Sequence, residues 1–187
     1  MFSVILPSAY LSRSPRSLRL ISSSALPRSP SQIPPNDVNV QSVLTYAIDH
    51  LEVNRIVIAG HTHCGGVEYC YDQAATLPSP PPNPLPPLPD PTLNLWLGDL
   101  YSAAVNMLEG DHDHGDTHPD PDEVMEELTL ENIRMQVDNV AGLDIVKNAW
   151  KQGRDLRIVG WLYHLETGRL EDLGICAGPM GTVGCEA

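Results

Sequence analysis

Between Arg55 and Arg134 the chain contains no lysine or arginine. Over the whole sequence, 11 basic residues face 24 acidic ones, a formal net charge of −13. Binding to a phosphate backbone needs clustered Lys and Arg, so a nucleic-acid partner is excluded. The acids crowd the segment from Glu109 to Glu131 and are read as a solvated acidic surface. Cysteine is scarce: Cys64, Cys70, Cys176 and Cys185 are too few for a disulfide scaffold in 187 residues. Long apolar runs are missing too, since no stretch approaches the roughly 18 residues that a membrane span requires. Acids are absent before Asp37, where Arg13, Arg16, Arg19 and Arg28 stand among many serines.

What is present is enough for one domain with a core, because 42 % of the residues are hydrophobic. From Asp37 the apolar residues Val40, Val43, Leu44, Ala47, Ile48 and Leu51 recur at helical spacing and form a stripe on one face. Asn36 or Asp37 can cap that helix, and Pro34-Pro35 keeps the preceding chain extended. "RIVIAG" is short, β-branched and apolar without alternation, which suits a strand covered on both faces. Helical patterning returns from Leu93 to Leu108 and from Glu123, where Leu130, Ile133, Val137 and Val140 make a second stripe. A short helix follows from Ile145 to Trp150, ending near Gly153. "LRIVGWLY" reads as a strand, and "YHLETGRLEDLG" as a hairpin about Thr167-Gly168. The expectation is an α/β fold. It has a mostly parallel central sheet flanked by helices, the first strand or strands missing or replaced, and a C-terminal hairpin.

Three segments stand apart. Residues 1–32 are expected to lie outside the main domain and to lack fixed structure; "FSVIL" is their best strand candidate. Arg- and Ser-rich, acid-poor sequence fits a mitochondrial transit peptide, whereas a secretory signal is disfavoured by the proline and by the lack of a basic start. The expected compartment is cytoplasmic or mitochondrial, not secreted. The domain itself is expected over 33–187, with two insertions. The Pro-rich one, 78–91, holds half of the 18 prolines and is expected to be extended, in part as polyproline II. The acidic one, 109–123, includes "DHDHGDTH", read as a flexible solvated loop with weak divalent-ion affinity at most.

"RIVIAGHTHCGGV" places His61 and Cys64 on the loop after a buried strand, at the carboxyl edge of the sheet where open α/β folds build their sites. Imidazole plus thiolate suits zinc better than magnesium or calcium. Taken alone, a His-x-x-Cys pair fits either a metal site in a reducing compartment or a buried structural thiol. Gly60, Gly65 and Gly66 allow close backbone approach and positive φ. His63, between the two donors, is read as pointing elsewhere. Cys70 is a poor third donor because it lies up the next helix, and Cys176 and Cys185 sit in a Gly-rich tail.

"GHTHCGG" resembles the zinc-binding turn of the β-class carbonic anhydrases, Gly-His-x-x-Cys-Gly-Gly. "PPNDVNVQSVLTYAIDHLEVNRIVIAG" resembles the helix and strand leading into it. "ENIRMQVDNV", "IVKNAWKQG" and "IVGWLYHLETGRL" resemble the later helices, the terminal strand and the hairpin, so the resemblance runs from about Ile33 to Gly174. It implies reversible hydration of carbon dioxide to bicarbonate, with a zinc ion held by two cysteines and a histidine. His61 and Cys64 match two of those three ligands. It also implies a homodimer or higher homo-oligomer. The family's other cysteine belongs to an upstream Cys-x-Asp-Ser-Arg motif, and this chain has neither a cysteine before Cys64 nor any Asp-Ser-Arg. The expectation is that residues 1–31 replace the family's front, as a wrong exon choice or a truncated reading of the gene would produce. No catalytic Asp–Arg pair is assigned. The competing reading is a non-catalytic remnant that acts as an interaction protein through its Pro-rich and acidic segments.

Overall fold

In this computed structural model, residues 3–5, 38–110 and 120–179 are described, the first of these as backbone only. Strand β1 (Ser3–Ile5) is followed by helix α1 (Val38–Thr45), which continues into a π-helical turn, Tyr46–His50. Strand β2 (Arg55–His61), helices α2 (Gly65–Ala75), α3 (Pro91–Gly110), α4 (Pro121–Ala141) and α5 (Asp144–Lys151), and strands β3 (Arg157–His164) and β4 (Arg169–Ala177) complete the order.

The long helices start where their sequences supply caps. Asp90 precedes Pro91, and its Oδ1 accepts from the backbone N–H groups of Thr92 (2.8 Å) and Leu93 (3.0 Å). Asp120 precedes Pro121 and accepts from the N–H of Asp122 at 3.1 Å. In both cases the proline occupies the first helical position, where its missing N–H costs nothing.

The sheet runs β1-β2-β3-β4. At its centre β2 and β3 pair in parallel, Arg55 opposite Arg157 through His61 opposite Tyr163. The outer pairings are antiparallel. Parallel character is therefore confined to the middle of the sheet, because β4 returns from β3 by a tight hairpin and a tight turn can join only antiparallel strands. The class and the terminal hairpin agree with the sequence-based expectation. The outer edge of β2 is met by β1 over Val57, Ile58 and Ala59, so "FSVIL" does contribute a strand.

One face of the sheet carries the main core. Ile56 and Ile58 of β2 and Ile158 and Leu162 of β3 meet Leu44 and Ile48, Ile133 and Val137 of α4, and Val146 of α5. Each such fully buried aliphatic side chain contributes about 1.5–3 kcal/mol. The opposite face of β2 is buried as well, at Val57 and Ala59, with Val159 beside them. Burial on both faces is why β2 reads as an unbroken apolar run. A second cluster joins α2 to α3 through Val67, Cys70, Leu97, Leu100 and Ala104, with Leu128 of α4. The Pro-rich segment has no regular secondary structure but is not idle. Leu88, 3 % exposed, is sunk into this second cluster, and its N–H donates to Asn94 Oδ1 at 2.9 Å. The segment 111–119, with the histidines of "DHDHGDTH", lies outside the described residues, as do residues 6–37 and 180–187.

Candidate metal centre

The parallel register brings the end of β2 level with the end of β3. Thr62 extends the ladder by one step, its N–H donating to Tyr163 O at 3.1 Å. The chain then turns over Thr62 and His63 and enters α2 with Cys64 as N-cap. Cys64 O accepts from the N–H groups of Val67 (2.9 Å) and Glu68 (3.0 Å), closing the first helical turn, while its side chain makes no capping hydrogen bond. Cys64 thus stands at the N-terminus of α2.

His61 Nδ1 lies 2.8 Å from Thr62 O. A carbonyl only accepts, so the proton of the neutral imidazole sits on Nδ1 and Nε2 carries the lone pair. A backbone acceptor on one ring nitrogen is the usual way a metal-ligating histidine is set in tautomer and orientation.

The left-handed position of the turn is not a glycine. His63 has φ of +50°, whereas Gly65 and Gly66 begin α2, and the described glycines with positive φ are Gly153, Gly168 and Gly174. The freedom of Gly65 and Gly66 to take positive φ is not used here. Their value lies in room: no atom stands within 4 Å of where a Cβ on Gly65 would be, and one on Gly66 would sit 3.8 Å from Cys64 Sγ. A non-glycine residue in the left-handed region costs about 1–2 kcal/mol, so His63 needs local compensation. It has it: His63 Nε2 meets Glu166 Oε1 at 2.5 Å, while its side chain stays 78 % exposed.

Beside Cys64 opens a cavity of about 450 Å³, lined by apolar Val67, Met125 and Leu162 and by carboxylates that include Glu68 and Glu126. Cys64 lines it; His61 does not. Among the described residues no group of three or more His, Cys, Asp or Glu side chains is arranged to hold a metal. Cys70 is fully buried, with its Sγ 3.9 Å from Leu97 O. Burial, and next the charge of Cys64, pushes its thiol up to about 12. Cys176 lies opposite Val159 on β4, four residues back along the sheet from the level of His61, and is held in a disulfide. Cys185 lies outside the described residues. The described residues thus place His61 at the end of β2 and Cys64 at the start of α2, and they bring together no group of three metal donors there.

Sequence reasoning missed Thr62 and Glu166, the residues that fasten the turn. The signal was available in part: parallel pairing of the two apolar strands puts the β3–β4 hairpin tip next to the His-x-x-Cys turn.

Residues 29–170 match the sequence profile of the family described as carbonic anhydrase. The chain belongs to the β-class carbonic anhydrase family. It is 30 % identical over 146 residues to a carbonic anhydrase of Emericella nidulans, covering 76 % of this chain and 55 % of that one. The Coccomyxa β-carbonic anhydrase solved with acetazolamide superposes with a TM-score of 0.55 at 25 % identity, over 78 % of this chain and 58 % of the other. A tetrameric β-carbonic anhydrase from Sordaria macrospora shares the fold, with a TM-score of 0.59 at 23 % identity over 80 % and 66 % of the two chains. The chain spans about half the length of the curated relatives it matches.

Proposed function

We propose that this chain serves the reversible hydration of carbon dioxide to bicarbonate, with His61 and Cys64 as two ligands of a zinc ion. The observation that carries the reading is the turn itself: an imidazole with Nδ1 committed to a backbone carbonyl and Nε2 carrying the lone pair, three residues before a thiol at a helix N-terminus. It occurs within a chain of the carbonic anhydrase family. When bound, zinc lowers the pKa of coordinated water toward neutrality, as in carbonic anhydrases of the three-histidine type, where it falls to about 7. The protein's part is to orient His61 through Thr62 O, to hold Cys64 at the N-terminus of α2, and to give solvent access through the cavity that Cys64 lines. No third ligand is assigned. A homo-oligomer is proposed with the activity, in keeping with the assembly named for the Sordaria protein.

The competing role for the Pro-rich segment, as an interaction motif, gains no support from its packing, because Leu88 is spent on the chain's own core. The test is zinc content per chain together with stopped-flow hydration of carbon dioxide by the full chain, His61→Ala and Cys64→Ser. About one zinc per chain and a rate above buffer, both lost in either variant while the far-ultraviolet circular dichroism is kept, support the reading. No zinc and no rate above buffer in the full chain would sink it.

A further inference from the structure

The two donors are joined by Thr62 and His63, and both of these are held by a single carboxylate more than a hundred residues further along the chain. Thr62 Oγ1 donates to Glu166 Oε2 at 3.2 Å, and His63 Nε2 meets Glu166 Oε1 at 2.5 Å. The next backbone unit joins in, since Leu165 N–H donates to Thr62 Oγ1 at 3.0 Å. Thr62 is thereby saturated from the hairpin side: its N–H goes to Tyr163 O, its hydroxyl oxygen accepts from Leu165 and its hydroxyl proton goes to Glu166. Thr62 O, in turn, is the acceptor that orients the His61 ring.

The hairpin tip is itself braced. Gly168, at φ +69°, donates its N–H to His164 O at 2.8 Å and closes the tip. His164 Nε2 contacts Glu171 Oε2 at 2.7 Å across the two strands. Glu166 therefore projects from a fixed arch. Its carboxyl is held below the usual range, first by a backbone hydrogen bond and then by Thr62 and by the charges of His63 and His164, against an opposing desolvation effect.

We propose that Glu166 is a positioning residue for the metal-binding turn: bridging Thr62 and His63, it sets the spacing and direction of His61 and Cys64. This rests on the reading of His61 and Cys64 as zinc ligands. Exposure decides what kind of effect to expect. The His63 and Glu166 side chains are 78 % and 46 % exposed, and exposed pairs add little to global stability. Loss of Glu166 should loosen the turn and leave the fold intact. Groups that orient metal ligands change metal affinity by about 10–100-fold when removed.

The experiment uses the full chain with Glu166→Ala and Glu166→Gln. Amide hydrogen exchange is measured at residues 61–66 and, as an internal control, at Ile56–Ile58 in β2. Zinc affinity is measured by competition with a chromogenic chelator. Exchange in the turn should rise about tenfold or more in Glu166→Ala, with β2 unchanged. Zinc affinity should fall by about 10–100-fold, and Glu166→Gln should recover part of both effects because its amide oxygen can still accept from Thr62. Turn exchange within about twofold of the parent, or a rise shared equally by β2, would overturn the proposal. If the parent takes up no zinc, the function proposed above fails, while the exchange measurement still decides the role of Glu166.

Discussion

Gly160 on β3 and Ile133 on α4 meet so closely that a Cβ on the glycine would lie 2.7 Å from Ile133 Cγ2 and 3.1 Å from Ile175 Cβ. The helix that covers the sheet can come this near because β3 has no side chain at that point. Gly160→Ala should force α4 and β4 outward, and overpacking of this kind costs about 1–3 kcal/mol. The expected outcome is a lowered urea midpoint with an unchanged m-value. A midpoint equal to that of the parent would show that α4 yields without strain.

Arg154 is a second long-range tie. Its Nη1 donates to Ile48 O at 2.6 Å and its Nη2 to Val53 O at 3.2 Å, capping the carbonyls at the end of the π-helical turn and ahead of β2. Arg154→Ala leaves both carbonyls without that donor, and loss of charge-assisted bonds of this kind costs about 1.5–3 kcal/mol. Arg154→Lys should restore little, because an ammonium lacks the planar fork that reaches both oxygens. Thermal denaturation of the two variants checks this, and a lysine variant as stable as the parent would contradict it.

The two described reduced cysteines should behave oppositely. Cys64 is partly exposed and Cys70 fully buried, so iodoacetamide at about pH 8 should label Cys64 well before Cys70, as read by peptide mass spectrometry. The pH dependence follows from the sign of the Cys70 shift. Its folded value is raised to about 12 by burial, then by the charge of Cys64, while an unfolded thiol ionises near about 8.5. Its contribution to stability is whole below the unfolded value and is lost as pH rises toward the folded one. Denaturation midpoints should therefore fall between about pH 9 and 12 more steeply for the parent than for Cys70→Val. Parallel curves would refute the assignment.

His63 holds a backbone conformation that suits glycine and penalises branching at Cβ. His63→Gly should keep the melting temperature close to that of the parent, the backbone gain offsetting the lost contact to Glu166. His63→Val should be less stable than His63→Gly by about 1–2 kcal/mol. Equal stability of the two variants would mean that the turn readjusts its φ.

The elements were largely legible because each is written in local periodicity. The stripes at Val40–Leu51 and Ile133–Val140, the run Arg55–Gly60 and the Thr167-Gly168 turn all became what their patterns indicate. The π-helical end of α1 was not legible, since an extra residue per turn alters no hydrophobic spacing over five residues. Nor was the burial of Leu88, because proline content reports backbone conformation rather than which leucine finds a pocket.

By itself, the sequence determined the α/β class, the position of β2, and the placing of His61 and Cys64 about the turn where that strand ends. Those features depend on neighbours in the chain, and side-chain pattern alone carries them. Only the tertiary structure decided that His63 rather than a glycine takes the left-handed turn, that Gly160 admits Ile133, and that Glu166 reaches Thr62 and His63. Such contacts arise where strand pairing brings together groups about a hundred residues apart, and no local periodicity encodes which partners will meet.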